Sequence, residues 1–166
     1  MLDQKKNIIL IIIFFIILLS IISALIIEHA LGHQPCSLCL YERIPYFLSA
    51  LLIIKIFFFK KYEKITLLIL FLIFMISALL AFYHFGIEQG FFNESFVCNV
   101  ENQSKILSKG QLLKELNQNV VSCKDVTFRI LGLSLAAINT ILSIVLSIIF
   151  LKLFFNYGSS STSQYK

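Results

Sequence analysis

From Ile8 to Ile27 the chain carries no charged residue. At 1.5 Å per helical residue, about 20 such residues match a hydrocarbon core of ~30 Å, and lipid offers the backbone no partners outside a helix. Three further apolar runs follow, at about residues 42–59, 65–85 and 126–151. The expected fold is therefore all-α, an integral four-transmembrane-helix bundle occupying residues 1–152. Its extramembrane loops are residues 28–41 and 86–125, and the Ser-rich tail, residues 153–166, is expected to be disordered. A composition 58% hydrophobic and 14% charged, with mean hydropathy +0.90, excludes a soluble domain of ordinary make-up. Lys5 and Lys6 also suit a signal peptide, but the apolar part of such a peptide is typically about 7–15 residues. The first run is longer, and no convincing cleavage site follows it.

The formal charge of +5 would suit a nucleic-acid partner if it formed a surface patch. Instead, the lysines sit mainly at the ends of apolar runs, where basic residues set membrane orientation. Lys60, Lys61 and Lys64 crowd a short turn, and Lys5, Lys6 and Lys152 flank the terminal spans. The long loop spreads Lys105, Lys109, Lys114 and Lys124 over about forty residues, so charge density places both termini in the cytoplasm. Lys55, inside the second run, can snorkel toward the headgroups.

With that orientation all four cysteines lie outside, Cys36 and Cys39 in the first loop and Cys98 and Cys123 in the second. None falls inside an apolar run, although free cysteine behaves as a small hydrophobe and is commonly buried. Two loop-confined pairs fit an oxidising compartment.

Cys36-Ser-Leu-Cys39 precedes the second span, so Cys39 is expected near a helix N-terminus, where unpaired amides favour thiolate. Arg43, one turn further, adds a permanent positive charge on the same face. Glu42 can pair with a cation, and Pro45 is expected in the first turn, where a missing N–H costs little. A second interpretation is metal binding: His29, His33, Cys36 and Cys39 form H-x3-H-x2-C-x2-C, an acceptable spacing for zinc or copper. For Cys98 and Cys123 the alternative is a structural staple, worth roughly 3.5 kcal/mol for a closed loop of about 26 residues in the chain-entropy treatment.

Between the second pair, residues 104–116 place Ile106, Leu107, Leu112, Leu113 and Leu116 at roughly helical spacing, which predicts a short amphipathic surface helix. His84 is expected at the outer end of the third span, hydrogen-bonded to a neighbour. Asn139 and Thr140 are expected to bond between helices, with Gly132, Ser134, Ala136 and Ala137 allowing close packing.

The strings PCSLCLYERIPY and AFYHFGIEQGFF, then Cys98, then SCKDVTFRILGLSLAAIN together resemble the disulfide bond formation protein B (DsbB) family, quinone-reducing thiol oxidases of bacterial inner membranes. The resemblance covers nearly the whole chain. It implies that Cys98 and Cys123 take electrons from a periplasmic, thioredoxin-fold, DsbA-like dithiol oxidase, with Cys98 forming the mixed disulfide and Cys123 resolving it. It further implies that Cys36 and Cys39 pass the electrons on, that Cys39 contacts a quinone (ubiquinone or menaquinone), and that Arg43 stabilises the charge there. Two other readings stay open at this point, the metal-binding membrane protein and a scaffold with structural disulfides.

If both pairs are disulfides, no cysteine should react with a membrane-permeant maleimide in membranes from aerobically grown cells, and all four should react after reduction. Four free thiols without reductant would contradict the pairing.

Overall fold

The computed structural model describes residues 2–93, 98, 123–124, 129–130 and 132–162. Within these, α1 is Leu2–His29, α2 is Ser37–Phe58, α3 is Glu63–Glu88 and α4 is Leu135–Thr162. A 3-10 turn, Lys60–Tyr62, joins α2 to α3. All four helices are long and apolar enough to cross a membrane. The expected all-α four-helix membrane bundle is the fold observed.

Its helices are apolar on every side, yet only one stripe of each faces protein. On α1, Leu10, Ile13, Ile17 and Ile21 recur every three or four residues and are buried, whereas Ile12, Phe15 and Leu19 between them are 53–66% exposed. The exposed set is the surface that lipid covers. Inside, Phe74 of α3 lies edge-on to Tyr46 of α2, with ring centroids 5.5 Å apart, and stacks on Phe150 of α4 at 5.6 Å. These rings join three helices in one apolar cluster with Leu10, Ile17, Ile53 and Leu70. Helix α3 packs most extensively on α4. Small side chains permit that approach, among them Ser77, whose hydroxyl lies 3.2 Å from that of Ser143. At one end of the bundle Lys6 pairs with the buried Glu63 at 2.7 Å, fixing the start of α1 to the start of α3.

Element boundaries differ from expectation in several places. Helix α2 begins at Ser37, so Pro45 falls inside it rather than in its first turn. Its missing N–H leaves the Tyr41 carbonyl without the usual i+4 donor. The fourth helix starts at Leu135 rather than near residue 126, because a two-residue hairpin, β1 (Arg129–Ile130) against β2 (Leu133–Ser134), precedes it. Gly132 makes that turn at φ +85°, a backbone region where a side chain is strained. Helix α4 also continues to Thr162, so residues 153–162, expected as disordered tail, are helical. At the far end of α3 the Phe92 ring folds back onto Gly86, where a Cβ would lie 2.2 Å from it. The expected surface helix at residues 104–116 lies outside the described residues.

Phe74→Ala empties the space between Tyr46 and Phe150 and should lower unfolding free energy by about 3–5 kcal/mol. Leu79→Ala, at a position 65% exposed, should change it little. Reversible unfolding in mixed micelles distinguishes the two, and equal losses would argue against the assigned core.

Candidate active site

The site is built where α2 begins. Cys36 takes an extended backbone conformation (φ −71°, ψ 167°) and caps the helix, its Sγ accepting the N–H of Cys39 at 3.3 Å. Cys39, Glu42, Arg43 and Tyr46 follow at intervals of three, one and three residues, which lines them along one helix face. Helix α3 contributes His84, 2% exposed, and Glu88 one turn on. Helix α4 contributes Asn139 and Ser143.

These side chains form one continuous chain of contacts. The Cys36 and Cys39 sulfurs stand 2.8 Å apart as two free thiols, and His84 Nε2 lies 3.5 Å from Cys36 Sγ. The other ring nitrogen, Nδ1, lies 2.8 Å from Glu42 Oε1. A carboxylate only accepts, so Nδ1 carries a hydrogen and Nε2 is the nitrogen left to exchange a proton with sulfur. Asn139 Nδ2 donates to the second Glu42 oxygen at 2.6 Å, and Tyr46 donates its hydroxyl to Asn139 Oδ1. The Tyr46 hydroxyl also lies 3.3 Å from that of Ser143. Both oxygens of a buried carboxylate thus have donors, from two different helices.

The contacts favour an anion on Cys36 rather than on Cys39, the sulfur expected to carry it. The hydrogen bond from the Cys39 thiol pulls the Cys36 thiol down to about 4; burial opposes this, and His84 adds to it. The helix-start amide that was expected to serve Cys39 points at Cys36. Arg43 is bonded to Glu28 of α1, but it borders the same cavity as both cysteines. That cavity, about 350 Å³, is walled by Ala24 and Ile27 of α1 and Leu135 and Leu142 of α4, with Cys36, Cys39, Arg43, Tyr46, His84 and Asn139 along it.

Cys98 and Cys123 are joined by a disulfide. They are buried in one cluster with Cys36, Leu38 and Ile87, and Cys123 also reaches the cavity. The two pairs, 59 residues apart at their nearest (Cys39 to Cys98), are neighbours in the fold. The proposed metal set is not assembled. His29 is exposed and donates to the Leu25 carbonyl at 3.1 Å, and among the described residues Cys36 and Cys39 group with His84 instead of with His29 and His33.

His84 was foreseen as a hydrogen-bonded histidine but not as a partner of Cys36. Glu42 and Tyr46 carried a signal, the i, i+3, i+7 spacing from Cys39. Asn139 was read as an interhelical bonding residue, and it bonds across to α2; that its partner would be Glu42 had no local signal.

The family described as disulfide bond formation protein DsbB matches residues 6–153. An uncharacterised protein of Rickettsia prowazekii (strain Madrid E) is 29% identical over 144 residues, covering 86% of this chain and 83% of that protein. No solved structure matches.

Asn139→Leu leaves Glu42 Oε2 without its donor and should cost roughly 1–2 kcal/mol of stability, between the ~0.6 kcal/mol average of interhelical bonds in membranes and the ~1.5–3 kcal/mol of bonds to charged groups. Asn139→Gln, which retains the amide, should recover part of it. Unchanged unfolding in Asn139→Leu would show that the bond carries no weight.

Proposed function

Because the chain belongs to the disulfide bond formation protein DsbB family, we propose that this multi-pass membrane disulfide oxidoreductase re-oxidises a periplasmic DsbA-like dithiol oxidase and passes the electrons to membrane quinone. The proposal places it in the bacterial inner membrane, with cytoplasmic termini and periplasmic cysteine loops. The observation that carries it is the meeting of the two cysteine pairs at one cavity: Cys123, disulfide-bonded to Cys98, borders the space that Cys36 and Cys39 also border. A relay requires adjacent disulfide and dithiol groups, and a structural staple does not.

The steps balance as thiol–disulfide exchange. A thiolate of the reduced partner attacks Cys98, the Cys98–Cys123 bond breaks, and the partner's second thiolate closes its own disulfide and leaves Cys98 and Cys123 as thiols. These two then reduce a Cys36–Cys39 disulfide in the same way. Quinone, when bound, supplies a two-electron, two-proton acceptor. A ring-sized head group fits the aliphatic walls of the cavity, with Cys39 and Arg43 beside it. His84 Nε2 takes the Cys36 proton and holds the thiolate, and Glu42 keeps the ring turned so that this nitrogen faces sulfur. Arg43 has five N–H donors, so it can hold Glu28 and still present others to an acceptor's developing charge.

Two half-reactions test this. Cys98→Ala should abolish oxidation of a reduced DsbA-like partner while a small dithiol still drives quinone reduction through Cys36 and Cys39. Cys39→Ala should stop quinone reduction while the mixed disulfide at Cys98 still forms. Equal loss of both half-reactions in either variant would overturn the division. Arg43→Gln should lower quinone turnover by about ten- to a hundredfold, on the usual 1.5–3 kcal/mol of a charge-assisted hydrogen bond, with Arg43→Lys between. Wild-type turnover in Arg43→Gln would remove Arg43 from the site.

A further inference from the structure

We propose that in the dithiol state Cys36 Sγ, Cys39 Sγ and His84 Nε2 form a binding site for a thiophilic divalent cation of the zinc type, and that its occupancy excludes disulfide formation. Among the described residues these three present ligand atoms that all lie within 4.8 Å of one another. Tetrahedral zinc, with Zn–S of ~2.3 Å and Zn–N of ~2.0–2.1 Å, sets S···N near ~3.5 Å and S···S near ~3.8 Å. The Cys36 to His84 separation is already 3.5 Å. The sulfurs, 2.8 Å apart, need to open by about 1 Å to reach that geometry, a small rotation of Cys39 toward the cavity it borders.

A second observation points the same way. Histidines that bind metal commonly donate their other ring N–H to a carboxylate, which fixes the ring and its tautomer. His84 does so to Glu42, and Asn139 anchors that carboxylate in turn. Charge also favours the ion, because a divalent cation offsets two thiolates that would otherwise add to the negative charge of the buried Glu42 carboxylate. The cavity borders all three ligands, as a three-ligand zinc site requires for its fourth position, and Glu88, with Oε1 3.8 Å from His84 Nε2, lies on the same wall.

Binding involves no electron transfer: two protons leave to solvent, one from Cys39 and the one that Cys36 shares with His84 Nε2, and each sulfur and Nε2 give a lone pair to the cation. Sulfurs committed in this way cannot bond to each other, so the ion holds the pair reduced and stops electron flow. The inference depends on the site geometry alone and not on which acceptor the electrons reach.

The test uses the full-length protein in detergent with Cys98→Ser and Cys123→Ser, so that second-loop thiols contribute nothing. After anaerobic reduction and removal of reductant, cobalt(II) should bind one per chain with a thiolate-to-cobalt charge-transfer band, and zinc should displace it. The same sample oxidised to the Cys36–Cys39 disulfide should show no band, a control that requires no folding-sensitive substitution. Cys36→Ser and Cys39→Ser should abolish the band, His84→Ala should weaken binding at least tenfold, and Glu42→Gln should weaken it by about 10–100-fold. His29→Ala with His33→Ala should leave it unchanged. Absence of the band in reduced protein, equal binding after oxidation, or loss only in the His29 and His33 variant would overturn the proposal.

Discussion

Glu42 is a carboxylate at 6% exposure among helices that present mostly hydrocarbon. Such a group persists only if its oxygens find donors, because an unpaired ion in that environment costs several kcal/mol. The donors come from two other helices, His84 of α3 on one oxygen and Asn139 of α4 on the other. That requirement fixes the rotation of α2, α3 and α4 about their own axes. With α2 so turned, Cys39, Arg43 and Tyr46 face the interior with Glu42, and the Cys36 sulfur comes to rest at the histidine.

The apolar packing would not select this arrangement alone. Every helix is hydrophobic around its full circumference, and in lipid one apolar face is about as comfortable as another. Specificity falls to the minority of polar and small groups: the Ser77, Ser143, Tyr46 and Asn139 sequence of hydrogen bonds at one level, and the Lys6–Glu63 pair at the opposite end. The aromatic contact of Phe74 with Tyr46 and Phe150 fills the space beneath the site. Rigidity there matters for chemistry, since a proton can pass between His84 and Cys36 only while the ring is held at the right angle.

The cysteine pair gains an asymmetry from the same geometry. Cys36 is the sulfur that receives the helix-start amide and the imidazole, which favours the anion there, and Cys39 has neither contact. The two sulfurs of the pair therefore sit in different electrostatic surroundings although both border the cavity. The disulfide of the second pair packs in one buried cluster with Cys36, beside the cavity that both pairs border.

What the chain's order of residues determined was the number of spans and the grouping of the cysteines, because hydropathy and charge are summed over about twenty residues and need no partner to be read. It also carried the Cys39, Glu42, Arg43, Tyr46 stripe, a period set by the helix itself. Local signals failed at boundaries. Pro45 lies inside α2 because Cys36 caps the helix earlier than the apolar run begins, and the hairpin at Gly132 delays α4. The tertiary structure alone decided which histidine meets the cysteines. His29 and His33 are near Cys36 in sequence, yet it is His84, 48 residues away, that reaches the sulfur. Sequence distance along a helix converts to height in the bundle, and partners at the same height are chosen by helix packing, for which a single chain's spacing holds no record.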